Sequence, residues 1–247
     1  MSMGEQLQSA RQVLQAIAGE EALHGFCAQQ CRALGFEYFV YALRLPTHFA
    51  ESRLELINGY PAGWTQRYFE QGYQACDPVL GHCVHGVAPL LWHELQLPPG
   101  SAAQQMMADA AAHGLKTGIS VPVHGAQGEL GVFSLALDRV HDAATEVLIR
   151  TAQPYIQGLA VYLHQALLRI SSLSGPQERP PLSPREIDCL RWAADGKTSW
   201  EIGQLLEMSE RTVNFHLNNA IHKLAVSNRQ QAVARAAFQR LIKPQPF

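Results

Sequence analysis

The sequence predicts an α/β protein in two parts: an N-terminal α/β/α sandwich around a central antiparallel sheet, then a smaller all-α domain carrying a helix-turn-helix. Three observations predict it. Helix-period segments flank several runs of alternating β-formers across residues 5–169. A stretch rich in Ser, Gly and Pro, Ser171–Pro181, then interrupts all apolar periodicity and reads as a linker. Beyond it, Leu182–Leu224 packs three helix-start signals into one short run.

Residues 5–34 place Leu7, Val13, Leu14, Ile17, Leu23, Phe26 and Leu34 on a recurring apolar face and read as helices. Phe36–Leu45 and Arg53–Asn58 are bounded by turn residues and read as strands. Trp64–Tyr73 reads as a short helix, and the segment around Pro78 and Pro89 as loop and short helix. Ala102–His113, rich in Ala and Met, is helical and closes at Gly114. Gly118–His124 and Glu129–Leu137 form a hairpin about the turn Ala126-Gln127-Gly128. Asp142–Arg169 is one long helix, with Pro154 as the place for a bend. The expected division is 1–170, a linker over 171–182, and 183–247.

The C-terminal helices announce their own starts. Ser183 precedes Pro184 and stands three residues before Glu186, and Thr198 with Glu201 repeats that capping box. Gly196 suits the left-handed end of the helix before Thr198, and Ser209 opens the third helix. In that third helix Val213, Leu217, Ile221 and Leu224 form a core stripe, while Arg211, Asn214 and Asn218 share the opposite face. Such a face fits the major groove, where Arg pairs with guanine and Asn with adenine. Lys197, Thr198 and Thr212 stand beside helix starts, where they and free backbone N–H groups hold phosphates. The competing reading is a solvated face on a helical bundle. The agreement of caps, spacing and polar face favours double-stranded DNA as the partner.

Charge agrees with this division. Residues 1–174 hold 9 Lys/Arg against 14 Asp/Glu, whereas residues 175–247 hold 10 against 7, so the smaller part is the basic one. The five cysteines are scattered, and Cys27 and Cys31 at helical spacing read as small core residues. With no signal peptide and no membrane-spanning apolar run, a cytoplasmic protein with no membrane partner is expected. Cys76, His82, Cys83, His85 and His93 cluster in sequence without a paired C-x2-C knuckle, so no metal is expected.

Residues 58–92 combine Tyr60, Trp64, Tyr68, Tyr73 and Trp92 with a single acid, Asp77, directly before Pro78. Composition leaves two readings open: the aromatic wall of a small-molecule pocket, or a core whose Tyr and Trp polar atoms find backbone partners. Enzyme signatures are missing. The run Gly118-Ile119-Ser120-Val121-Pro122 breaks a G-x-S-x-G elbow, and neither G-x-x-x-x-G-K-[ST] nor H-E-x-x-H is present, so no catalytic residue is expected. A receiver domain of the phosphorylated type needs clustered acids after the first strand, which here ends Tyr41-Ala42-Leu43-Arg44.

Leu182-Ser183-x-Arg185-Glu186, Asp195-Gly196-Lys197-Thr198, Glu201-Ile202, Thr212-Val213-x-Phe215-His216 and Lys223-Leu224 closely resemble the four-helix DNA-binding unit of LuxR-type regulators. Trp64-x3-Tyr68, Asp77-Pro78, Trp92 and the run over 122–137 resemble the autoinducer domain of the same family, nearest its LasR-like subgroup. The resemblance implies a quorum-sensing transcriptional activator that needs no cofactor. Its effector would be an N-acyl-homoserine lactone, its form a homodimer on palindromic DNA, and RNA polymerase a candidate partner. It implies that Trp64 donates to the lactone carbonyl, Asp77 accepts the ligand amide N–H, Tyr60 and Ser134 bind the amide carbonyl, and Tyr68 and Trp92 pack over the head group. Val79 belongs to the same site, where some relatives carry Thr; Thr65 replaces an Arg, Ala42 a Gly, and Asn214 a Lys common in the family. The alternative is an orphan member answering to another small molecule or to none.

Overall fold

The structure, a computed structural model, describes residues 2–46, 52–126, 128–173 and 181–242. The chain divides into two compact units, one carried by residues 1–45, 54–125 and 130–174, the other built around 175–247.

The first unit opens with α1 (Met3–Ala16) and α2 (Glu20–Ala33). Strands β1 (Tyr38–Pro46) and β2 (Ser52–Asn58) follow, then α3 (Ala62–Glu70), α4 (Pro78–His85), β3 (Leu90–Leu91) and α5 (Ala102–Ala112). The hairpin β4 (Thr117–His124) and β5 (Leu130–Leu137) and the 31-residue α6 (Ala143–Leu173) complete it. The sheet order is β2-β1-β5-β4-β3, with β5 central and antiparallel to both neighbours. The expected α/β/α sandwich is present.

Period-two alternation assigns the two faces of this sheet to different tasks. Phe39, Tyr41 and Leu43 of β1 and Phe133, Leu135 and Leu137 of β5 point to one side and pack with α1, α2 and α6. Leu130, Val132 and Ala136 point to the other, where α3, α4 and α5 supply Trp64, Cys83, Met106 and Ala110. With both faces covered, every residue of β5 is buried. At Gly131 a Cβ would lie 2.1 Å from the Tyr41 hydroxyl, so the glycine admits the buried bond of 2.9 Å between that hydroxyl and His164 Nδ1 of α6.

Some expectations shift in detail. The single helix expected over Trp64–Tyr73 ends at Glu70, and Gly72, at φ 65°, turns the chain into a separate short turn Tyr73–Ala75. The short helix expected around Pro78 is α4, and the two-residue strand β3, paired to Ser120 and Ile119, adds to the loop and short helix expected there. Helix α6 runs through Pro154 and on to Leu173, into the first residues of the expected linker; residues 174–180 and the hairpin residue Gln127 lie outside the described residues. Cys27, Cys31, Cys83 and Cys189 are buried, as core residues should be, and Cys76 is half-buried. Burial pushes the Cys27 and Cys31 thiols up to about 12.

The second unit is α7 (Pro184–Ala194), α8 (Ser199–Leu206), α9 (Glu210–Leu224) and α10 (Arg229–Phe238). Both capping boxes form, Ser183 with Glu186 and Thr198 with Glu201, and Ser209 caps α9 through the Thr212 N–H. Gly196 has φ 79°. The core is Cys189, Leu190, Ile202, Val213, Leu217, Ala220, Leu224, Ala232 and Ala236. Between α8 and α9 the chain doubles back over Gly203, where a Cβ would lie 2.6 Å from the Met208 carbonyl oxygen. Only glycine lets the turn close that tightly.

Candidate functional site

A cavity of about 160 Å³ lies between the sheet and helices α3, α4 and α5. All seven residues expected at the small-molecule site, Tyr60, Trp64, Tyr68, Asp77, Val79, Trp92 and Ser134, line it. So do Ala42 and Thr65. The rest of the wall is mainly apolar, with Leu54, Leu56, Met106, Met107 and Val132 prominent. These aromatic side chains thus line a cavity while also packing in a buried cluster.

Asp77 is positioned by a helix start. It is the N-cap of α4, its Oδ1 accepting the N–H groups of Val79 at 2.8 Å and Leu80 at 3.2 Å, with Pro78 at the first helical position. The Tyr68 hydroxyl donates to Oδ2 at 2.8 Å. Burial holds the Asp77 carboxyl above its ordinary range, and the bonds from Tyr68, Leu80 and Val79 offset only part of that cost. Burial also raises the Tyr68 hydroxyl, with the Asp77 charge adding to it, so Tyr68 stays a donor.

The aromatic wall is cross-braced. The Trp64 ring stands edge-on to Tyr68 at 5.7 Å and stacks on Tyr73 at 5.9 Å. Tyr73 is fixed by its hydroxyl, which donates to Asp109 of α5, and Arg67 Nε donates to the same carboxylate at 2.7 Å. These bonds, Tyr73 foremost and then Arg67, hold the Asp109 carboxyl below its usual range. The wall is therefore clamped between α3 and α5 by three side chains outside the expected set.

On the sheet side, Trp92 Nε1 donates to Ser120 Oγ at 2.9 Å, and Ser120 Oγ lies 2.7 Å from Ser134 Oγ. Ser120 and Ser134 are directly paired across β4 and β5, so their side chains share the cavity face. The Trp92 ring lies against Gly118, where a Cβ would come within 2.9 Å of it. The Tyr60 hydroxyl reaches Ser134, and burial keeps it protonated. Asn58 Nδ2 donates to Thr65 Oγ1 at 2.9 Å, and Asn58 Oδ1 accepts the Tyr60 N–H at 3.1 Å. Ser120 and Asn58 escape sequence reading because their partners are set by strand register and a turn rather than by any local motif.

The second candidate surface is the outer face of α9 and the start of α8. Arg211, Asn214 and Asn218 are exposed there, while Val213, Leu217 and Leu224 point into the core. Asn214 Oδ1 accepts from Ser199 Oγ at 2.7 Å, which orients its amide across the two helices. Thr212 and Thr198 share their hydroxyls with caps, to Ser209 and Glu201. Lys197 is half-buried, its carbonyl taken by Arg229. Among the described residues, no helix is long and apolar enough to cross a membrane. Of Cys76, His82, Cys83, His85 and His93, His93 alone enters a group of converging metal-type ligands among the described residues.

Residues 19–167 match the autoinducer binding domain family, and residues 180–236 match the luxR family of bacterial regulatory proteins. The chain is 34% identical over 218 residues to the transcriptional activator protein AhyR of Aeromonas hydrophila, covering 85% of this chain and 82% of that one. Its fold is similar to the crystal structure of SdiA from Escherichia coli, with TM-score 0.78 and 27% identity over 98% of this chain and 100% of that one. It is also similar to the N-acylhomoserine lactone dependent LuxR family transcription factor CepR2 of Burkholderia cenocepacia. There the TM-score is 0.57 and the identity 28%, covering 69% of this chain and 96% of that one.

Proposed function

Since the chain belongs to the LuxR family of bacterial regulatory proteins and is a ligand-dependent transcriptional regulator of the quorum-sensing type, we propose that its effector is an N-acyl-homoserine lactone and its target a two-fold symmetric DNA element bound by a dimer. One observation carries the ligand reading: the convergence of Tyr60, Trp64, Tyr68, Asp77, Val79, Trp92 and Ser134 on one apolar cavity. An acyl lactone is an apolar chain ending in a compact polar head, and this cavity has the same division.

Asp77 is the acceptor for the ligand amide N–H. A carboxylate has about four lone-pair directions. Three are taken by Val79, Leu80 and Tyr68, which leaves one for the ligand. A charged acceptor in a dry site makes the stronger class of hydrogen bond. Tyr60 and Ser134 bind the amide carbonyl, and Trp64 donates its indole N–H to the lactone carbonyl. Trp92, held by Ser120, packs on the head group rather than donating to it. Leu54, Leu56, Met106 and Met107 receive the acyl chain.

On the DNA side, Arg211, Asn214 and Asn218 read base edges, and Lys197, Thr198 and Thr212 hold backbone phosphates. The family is one of transcriptional regulators and the site is built to bind rather than to turn over. The protein works in the cytoplasm as a homodimer, with RNA polymerase as the partner through which it activates.

The test is mass spectrometry of an organic extract from the full chain, purified from cells grown with a mixture of acyl-homoserine lactones. One lactone retained near one per chain supports the reading. An extract free of lactone, or one filled with a different acyl compound, overturns it.

A further inference from the structure

Away from the ligand cavity, a second set of side chains converges on one point. His93 follows Trp92 in the short turn after β3, His141 precedes α6, and Glu146 lies in the first turn of α6. Glu146 Oε2 is 3.4 Å from His93 Nε2 and 3.9 Å from His141 Nδ1, and the three ligand atoms all lie within 4.8 Å of one another. The two imidazole rings stack face to face at 3.9 Å, only 12° from parallel.

We propose that His93, His141 and Glu146 form a binding site for a divalent transition metal of the zinc class. Two imidazole nitrogens and one carboxylate oxygen are the donor types zinc takes, with bonds of about 2.0–2.2 Å, which puts tetrahedral donors roughly 3.3 Å apart. The observed nitrogen–oxygen distances of 3.4 and 3.9 Å are near that spacing, and the two exposed rings must turn out of their stack for both lone pairs to meet one cation. Glu146 is oriented for the role. Its Oε1 accepts from Arg150, which also contacts Glu94, so the carboxylate is held from behind. Its Oε2 is buried and, among the described residues, accepts no hydrogen bond. A buried carboxylate oxygen beside two imidazole nitrogens, without a hydrogen bond among the described residues, suits a cation.

The competing account is a plain contact of two stacked histidines with Glu146 that takes up no cation. Three protein ligands leave a fourth position for water, the pattern of an open rather than a closed zinc site. Because His93 is next to Trp92, the metal ties a cavity wall to the start of α6 and links metal occupancy to ligand binding. This departs from the sequence expectation of no metal, since His141 and Glu146 lie some fifty residues from the histidine-rich stretch.

The experiment uses the full chain, stripped with a chelator and titrated with zinc ion against a chromophoric competitor. Cobalt(II) serves as a second probe, read by its visible spectrum. Expected are one equivalent of zinc per chain and a loss of affinity of about tenfold or more in His93→Gln and in His141→Gln. His82→Gln should bind as wild type. Circular dichroism melting in parallel shows that the variants are folded. Absence of competitive zinc uptake, or undiminished uptake by folded His93→Gln/His141→Gln, overturns the site.

Discussion

Asp77 does two jobs with one carboxylate, and they separate on mutation. As N-cap it stabilises α4, and on the proposed reading it also accepts the ligand amide. Asp77→Asn should keep much of the cap, since Asn caps nearly as well, yet weaken lactone binding about tenfold or more, because a hydrogen bond to a charged group contributes about 1.5–3 kcal/mol. Asp77→Ala should lose both. Thermal-shift titration with lactone reads the two effects, and equal ligand stabilisation of wild type and Asp77→Ala would remove Asp77 from the site. The carboxyl also predicts a pH dependence. Burial raises it in the folded state, so its contribution to ligand-free stability is fully present below the usual aspartate range and is lost as pH rises through the raised value. A ligand N–H favours the charged form, so lactone affinity should climb with pH over that window, and the climb should vanish in Asp77→Asn. A flat wild-type profile in the same titration would count against the carboxylate. At this scale the sequence showed Asp77, Trp64 and Tyr68 because they sit close together in a compact motif. It did not show Asp109, which clamps Tyr73 from 36 residues away, or Ser120, which reaches Trp92 across 28. Partners so distant leave no local pattern.

Helices α7 and α9 meet through one buried acid. Glu186 is 3% exposed, accepts the Ser183 N–H at 2.7 Å and the Lys223 ammonium at 2.9 Å, and so joins a capping box to a cross-helix ion pair. Burial pushes its carboxyl up, but Lys223 and Ser183 outweigh it and leave it below the usual range. A depressed folded-state value gives stability that is present at neutral pH and lost as pH falls through it. Glu186→Gln should therefore cost about 1–3 kcal/mol at neutral pH and flatten the acid limb, as read by urea unfolding of the full chain at several pH values. No loss at neutral pH would make the pair decorative. On α9 the outer face can be divided by DNA binding. Arg211→Ala should cost about 1–3 kcal/mol on the cognate site and relax preference at one base pair. Lys197→Ala should weaken cognate and scrambled DNA alike and lower the salt slope by about one. Equal proportional losses for both variants on both DNAs, across a salt series, would overturn the groove assignment. Elements with caps were the legible ones: Ser183, Thr198 and Ser209 each start a helix where sequence put it. Strand β3 was not legible, because two leucines carry no period and only pairing with Ser120 and Ile119 makes them a strand.

For the whole molecule, a ligand that binds only the folded state adds RT ln(1 + [L]/Kd), about 4 kcal/mol at a thousandfold excess over Kd. That increment is large beside the net stability of a typical domain, so effector binding alone can decide how much folded receptor a cell holds. A dimer carrying two copies of α9 should need its half-sites on one face of the duplex, about one helical turn apart. Inserting about 5 bp between the half-sites should abolish tight binding, and about 10 bp should restore part of it, in gel-shift titrations with lactone present. Indifference to spacing would mean that each chain binds alone. The two-part plan was legible from charge and from the Ser/Gly/Pro stretch. The division of the sheet into a core face and a cavity face was hidden, because a strand such as β5, buried on both sides, reads as one unbroken apolar run.

The distribution of thiols has a practical consequence. Four of the five cysteines are sealed in cores, and the fifth, Cys76, is half-buried directly beside Asp77. A thiol-reactive fluorophore should therefore attach at a single natural position next to the cavity, with no cysteine to delete and none to add. Carried there, the dye would sense whether the cavity is filled, and the wild-type chain would become its own optical gauge of effector concentration.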